Sequence, residues 1–290
     1  MTDDRGPGAS SSPVLAGNTE PPWLATLRQR ADQPPLRPRE PLVIGTGARM
    51  AVVGSIEPQL AHTMAAAGLP MRAVEPVWRL DEPADESLQR LALWLDAQQL
   101  GSRWRNELLA VTDARGNRLG AIERAAVRAL GITTHAVHLI GRTRAGDLWI
   151  QQRAHDKATD PGLWDTTMGG LVTAGESIAT TLARETDEEA GLAIDALEDL
   201  APAGRITIRR PVSDGYMIEH IEVFEAVVPD GLEPVNRDGE VDRFEKLGPT
   251  ALVERLAEDR FTLEAALILV ASLQRHGHLA RAPQPRPAGQ

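Results

Sequence analysis

Glu185, Glu188 and Glu189 stand at spacings i, i+3 and i+4 in "ARETDEEAGL", with Asp187 between them. At about 100° per residue these three carboxylates share one arc of a helix. Like charges so spaced repel each other. The helix C-terminus, marked by the stop residue Gly191, already carries partial negative charge. One reading is a solvated acidic helix end. The other is a site for a hard divalent cation, which would grip phosphate oxygens, stabilise developing charge and activate water. The cluster is expected to lack an internal counter-charge: no Lys lies within four residues, and Arg184 is placed on another side of the helix.

The preceding loop favours the cation site. Gly169 and Gly170 permit close backbone approach or a positive φ. Glu176 is spaced to pair with Arg184 and lock the loop on to the helix.

These residues carry a family resemblance. The stretch resembles the Nudix box: Gly, five residues, Glu, seven residues, Arg-Glu, an aliphatic, any residue, Glu-Glu, any residue, Gly and an aliphatic. Gly170, Glu176, Arg184, Glu185, Glu188, Glu189, Gly191 and Leu192 occupy the motif positions, and Thr186 replaces the first aliphatic. The resemblance implies a Nudix hydrolase with an α+β fold (an α/β/α sandwich), a mixed β-sheet between helices and the box as loop–helix–loop. It implies Glu185 and Glu189 as the main metal ligands, with Glu188 ligating or ordering metal-bound water. Gly170 would offer backbone contact near the metal, and Glu176 and Arg184 would support the loop. The implied cofactor is Mg²⁺, with Mn²⁺ as a substitute. The implied reaction is attack of water on a diphosphate joined to a further group.

Outside the box, Glu240 in "NRDGEVDRFEKL" is either a solvated turn residue or a further catalytic carboxylate. Arg153, Lys157, Trp164 and Gly169 are the candidate substrate-binding residues. For Arg153 and Lys157 the alternative is surface solubility, and for Trp164 it is a place in the core. His135 and His138, three apart on a strand, face opposite ways, so no two-histidine metal site is expected. No dinucleotide-binding fingerprint, phosphate-binding P-loop or nucleophile elbow occurs.

A broader resemblance bears on the substrate. "WRNELLAV", "AIERAAVRALGITTHAVHL" and "KATDPGLWDTTMGG" are similar to the Nudix subgroup related to thiamine-pyrophosphokinase-type proteins, which has an extra N-terminal domain. That implies thiamine diphosphate, or damaged analogues such as oxythiamine diphosphate. A nucleoside-diphosphate-linked or oxidised-nucleotide diphosphatase and a non-catalytic Nudix-fold binding module stand as alternatives. Isopentenyl diphosphate isomerisation ranks below them, because the usual family form uses a cysteine and this chain has none.

The elements that must position these residues follow from pattern. Residues 1–21 and 281–290 are expected to be disordered tails. A smaller α+β N-terminal domain is expected over 22–131 and the Nudix domain over 132–280. In the first, "PWLATLRQRAD", "EPQLAHTMAAAG" and "DESLQRLALWLDAQQLG" read as helices, and "PLVIGTGARMAVVGSI" as two strands about a turn. "ELLAVTDARGNRLGAIERAAVRALG" reads as a strand, a turn and a helix stopped at Gly131. In the second, "THAVHLIGRT" and "LWIQQRA" form a hairpin, "AGRITIRR" and "GYMIEHIEVFEAVV" are strands, and two helices close the chain.

Composition narrows the class. The chain has 290 residues, 42% hydrophobic, with a net charge of −10 and no cysteine. Net acidity argues against a nucleic-acid partner. No run of 18 apolar residues predicts a membrane span, and no basic-then-apolar leader predicts secretion. The expected setting is cytoplasmic. The expected partner is a small-molecule diphosphate, and a homodimer is allowed.

Overall fold

The computed structural model describes residues 20–281. The expected tails lie outside the described residues, apart from Glu20, Pro21 and Arg281. In chain order the elements are α1 (Pro22–Ala31), β1 (Glu40–Ile44), β2 (Ala51–Ile56), α2 (Pro58–Ala66), β3 (Met71–Val74), β4 (Val77–Leu80) and α3 (Ala84–Ala97). Then come β5 (Leu108–Thr112), β6 (Arg118–Glu123), β7 (Thr133–Arg142), β8 (Leu148–Arg153), β9 (Trp164–Asp165), β10 (Met168–Leu171) and α4 (Ile178–Ala190). β11 (Glu198–Val212), β12 (Gly215–Val227), β13 (Val241–Leu247), α5 (Pro249–Ala257) and α6 (Leu263–Arg275) complete the chain.

The larger sheet is mixed, in the order β11-β12-β7-β8-β13, with β10 on β7 and β9 on β8. β12 and β7 run parallel. One face packs on α1, α5 and α6 through Leu24, Leu252 and Leu269, and Ala136, Ile208 and Ile221 supply the sheet side of that core. The other face meets α4 through Val137, Leu139, Leu182 and Ala190. This is the Nudix fold, a mixed sheet between helices.

β7 and β8 pair only at Gly141–Arg142 against Trp149 and Leu148. Beyond that they part, β10 following β7 and β9 following β8. The sheet is therefore split where the box begins.

Strands within residues 40–80 form a four-stranded sheet, β2-β1-β4-β3. With α2, α3 and the β5–β6 hairpin it encloses a separate core around Leu42, Ile56, Leu88 and Leu91. Arg39 Nη2 donates to Ala129 O at 2.7 Å, and Ser55 N donates to Leu130 O at 2.9 Å, tying this sheet to the chain entering β7.

One expectation is corrected. The helix expected up to Gly131 is replaced by β6 and a 3-10 turn at Arg124–Ala126. Ala121 and Ile122 pair with Ala110 and Leu109, and the Glu123 carboxylate accepts the Arg105 and Glu107 backbone N–H groups at 2.8 and 3.1 Å. Cross-strand pairing and these two bonds outweigh the helical propensity of the alanines. α1 packs on the larger sheet. Leu24, Leu27 and Ala31 join the core under α6, and Tyr216 Oη donates to Gln33 O at 2.7 Å.

Candidate active site

α4 is delimited by its own sequence. Ser177 caps it, its Oγ accepting the Thr180 N–H at 3.1 Å. Gly191 ends it at φ 63°, its N–H donating to Asp187 O. Leu182 and Ala190 are buried against the sheet. Thr186 fills the aliphatic slot because its methyl is buried while its hydroxyl donates to Leu182 O at 2.6 Å, one turn back.

The expectation that the cluster lacks a counter-charge is overturned. Arg184 Nη1 lies 2.8 Å from Glu188 Oε2 and 2.9 Å from Glu185 Oε1. The Arg184 side chain is long enough to curl across to the acidic arc, which a helical-wheel position does not reveal. The same guanidinium holds Glu176 at 2.8 Å, so one cation serves three carboxylates. That pairing keeps Glu176 down at about 2, chiefly through the hydrogen bonds from Arg184.

Glu185 and Glu189 go the other way. Burial pushes Glu185 up to about 7 against the pull of Arg184, with Glu188 and Glu240 adding to the rise. Burial pushes Glu189 up to about 7 as well, opposed by Lys157, Gln151 and the Gly169 N–H. Glu189 is 2% exposed. Its Oε2 accepts Gln151 Nε2 and Gly169 N, each at 3.0 Å, and Lys157 Nζ stands 3.7 Å from its Oε1.

The glycine pair is explained by close approach, not by positive φ. A Cβ on Gly169 would come within 2.8 Å of His138 Nδ1, and one on Gly170 would collide with the Glu185 carboxyl. The two glycines face opposite sides of β10, and each leaves room for one functional side chain. His138 is buried, its Nδ1 2.8 Å from Thr166 Oγ1, and burial lowers its proton affinity.

Glu240 sits in the turn before β13. Its N–H donates to Asp238 Oδ1 at 2.8 Å, and its O accepts Ala154 N at 2.9 Å. Its carboxylate pairs with Lys157. Burial raises its proton affinity, but Lys157, with Arg153 and Arg124, outweighs that and the net shift is downward. Arg153 is bound to Asp165 Oδ2 at 3.3 Å and Thr159 O at 3.0 Å.

A cavity of about 480 Å³ gathers Glu185, Glu188, Glu189, Glu240, Lys157 and Arg153. Gly169, Gly170 and Arg184 also line it. Trp164, a candidate substrate contact whose alternative is a place in the core, does not. It is 2% exposed, in the core with Phe261 and Leu263, with Arg255 4.9 Å over its ring. A strand-edge tryptophan at this register points into the helical layer.

The cavity continues to residues that sequence reasoning passed over: Arg105 and Arg124 beside the β5–β6 hairpin, Arg128, Arg210, Glu219 and Glu264. For Arg210 and Glu219 a signal existed. Each occupies an inward position in an alternating strand next to buried apolar residues, Ile208 beside Arg210 and Ile221 beside Glu219.

The three box glutamates do not form a ready-made metal cage. Among the described residues no group of three Asp, Glu, His or Cys side chains is arranged to hold a metal ion. Glu185 and Glu188 turn to Arg184, and Glu189 turns to Gln151 and Gly169. The donor set nevertheless fits a hard cation. It is all oxygen, and Gln151 Oε1, beside Glu189, is buried with no hydrogen-bond partner.

Residues 132–267 match the family model of the NUDIX domain. Nudix hydrolase 24, chloroplastic, of Arabidopsis thaliana is 33% identical over 181 residues, covering 60% of this chain and 49% of that protein. The isopentenyl-diphosphate Delta-isomerase of Streptomyces avermitilis is 31% identical over 164 residues, covering 53% of this chain and 78% of that protein. A crystal structure from Deinococcus radiodurans, at 26% identity and a TM-score of 0.46, covers 56% of this chain and 97% of that one. The chain spans about half the length of the plant and Pseudomonas relatives it matches. Among the described residues no helix is long and apolar enough to cross a membrane. By the match over residues 132–267 and by its fold, the chain belongs to the Nudix family.

Proposed function

We propose that this chain is a hydrolase of a small organic diphosphate, dependent on Mg²⁺ or Mn²⁺, with thiamine diphosphate or a damaged analogue such as oxythiamine diphosphate as its substrate. The observation that carries the reading is the meeting of Glu185, Glu188, Glu189, Glu240, Lys157 and Arg153 in one cavity. Glu185 and Glu189, with Glu188, are the residues that would hold the cation, and a bound cation supplies neutralisation of phosphate oxygens and acidification of a water.

The chain's own groups then divide the work. Arg184 and Glu176 hold the loop against α4. Gly169 presents its backbone beside Glu189, and Gly170 gives Glu185 its space. Lys157 and Arg153 supply positive charge for the anionic substrate. Glu240 is the candidate to take a proton from the attacking water, because Lys157 keeps it ionised. In this reading the Nudix domain starts near residue 132, and α1 belongs with it.

The test is phosphate release with and without Mg²⁺. Turnover is expected to require the metal and to fall at least about a hundredfold in folded Glu185→Gln and Glu189→Gln proteins, the scale of losing a main electrostatic contributor. Full turnover in either variant overturns the site assignment. The similarity to an isomerase supports a second reading, isomerisation of an isoprenoid diphosphate. Product analysis separates the two, since isomerisation releases no phosphate. A panel with nucleoside-diphosphate-linked and oxidised-nucleotide substrates separates the diphosphatase alternatives. Tight binding without turnover across that panel would mark a binding module.

A further inference from the structure

Three charged residues of the cavity have no part in the chemistry above. Arg210 of β11 and Glu219 of β12 share a strand face with the buried Ile208, Met217 and Ile221. Alternation assigns that face to apolar side chains. Glu264 opens α6 over the same face, beside the buried Leu263 and Ala265. All three line the cavity that holds Glu185 and Glu189.

Charges in such a place are ordinarily paired. Here Arg210 Nε is buried without a hydrogen-bond partner. Burial pushes the Glu264 carboxyl up to about 7, with Glu219 adding to the rise and its own backbone N–H and Arg210 opposing it. Glu219 Oε2 accepts the Thr134 hydroxyl at 3.0 Å, which leaves its other oxygen free of that bond. This wall thus offers a guanidinium donor and carboxyl groups to a ligand, with apolar Ile132 and Met217 alongside. Thr134 marks this end on β7 and His138 marks the Gly169 end. Four residues of strand separate them, about 13 Å, enough for a diphosphate followed by a ring-sized group.

We propose that Arg210, Glu219 and Glu264 are specificity-determining residues, and that they read a planar nitrogen heterocycle whose edge carries hydrogen-bond donors and acceptors together. The hydrolase reading supplies the diphosphate end of this ligand, and the heterocycle end rests on the three residues themselves. An isoprenoid chain leaves the Arg210 and Glu264 groups desolvated and unpaired, which such a site rejects strongly. A heterocycle with amino and ring-nitrogen positions answers both. Aminopyrimidines and purines both belong to this class.

Two measurements test the proposal. The first is the ratio of kcat/KM for thiamine diphosphate, CDP and ADP to that for isopentenyl diphosphate. The wild-type ratio for the best heterocycle is expected above about ten, and Glu264→Gln or Arg210→Lys is expected to bring it near one. A ratio untouched by both substitutions overturns the proposal. The second is calorimetric binding of thiamine, cytidine and adenosine, which lack a diphosphate, to the full chain without metal. Binding of at least one is expected, weakened about tenfold or more in Glu264→Gln and retained in Glu185→Gln. Absence of binding by all three, or equal binding by wild type and Glu264→Gln, overturns it. If turnover fails everywhere while this Glu264-dependent binding persists, the hydrolase reading falls and the specificity site stands.

Discussion

Arg184 holds Glu176 through two hydrogen bonds, Nε to Oε1 and Nη2 to Oε2, each 2.8 Å. The bond pair joins the loop before α4 to the middle of that helix, in the fork geometry that only arginine supplies. Glu176→Gln removes one charge from it, and a loss of about 1 kcal/mol is expected by urea denaturation, kept small because the pair is within reach of water. The folded Glu176 has its proton affinity depressed to about 2 from an ordinary value of 4.5. Its stabilisation is therefore complete above about pH 4.5 and is lost as pH falls through about 2. Wild type and Glu176→Gln are expected to converge in stability over that acid window. A gap constant down to pH 2 would remove the ion pair from the account.

Gly170→Ala tests the fit between β10 and α4. The new methyl would occupy the place of the Glu185 carboxyl, so that carboxyl must move. Activity is expected to fall at least about a hundredfold in a protein that still unfolds cooperatively. Near-normal activity would show that Glu185 works from another position.

Lys157 pairs with Glu240 and lies 3.7 Å from Glu189. Lys157→Met leaves two carboxylates without that cation. The metal-free protein is expected to lose about 1 kcal/mol, and its Tm is expected to rise more on adding Mg²⁺ than that of wild type, because bound cation replaces the missing charge. Parallel Tm shifts in the two proteins would show that Lys157 does not offset the metal-binding carboxylates.

Trp164 separates packing from recognition. It is 2% exposed in the core under α5 and α6. Trp164→Ala is expected to cost about 3–5 kcal/mol, the range for deleting a buried aromatic. At a temperature where the variant stays folded, KM is expected to match wild type. A large rise in KM with little loss of stability would return Trp164 to the substrate.

Glu176, Arg184, Glu185, Glu188, Glu189 and the glycine pair were readable from the chain because their spacing is local. A helix of 3.6 residues per turn converts i, i+3 and i+4 into one surface, with Ser177 and Gly191 as its stops. The β7–β8 hairpin, α2, α3 and the closing helices were readable for the same reason, since each is set by neighbours a few residues away. Where a side chain is long, local pattern was insufficient: Arg184 crosses from its own arc to Glu185 and Glu188. Ala121–Glu123 look helical, yet they pair with residues 108–110 and bind backbone N–H groups at 105 and 107. α1 adjoins the first sheet in sequence and packs on the second core.

The sequence by itself determined the family, the loop–helix–loop and the carboxylates at its end, since those depend on spacings within one element. Only the tertiary structure decided which distant groups share their cavity: Lys157 and Glu240 from two loops, Arg210 and Glu219 from two strands, and Glu264 from the last helix. Their proximity comes from strand register and from the parting of β7 and β8. Those are set by burial of whole sheet faces, and no short stretch of chain encodes them.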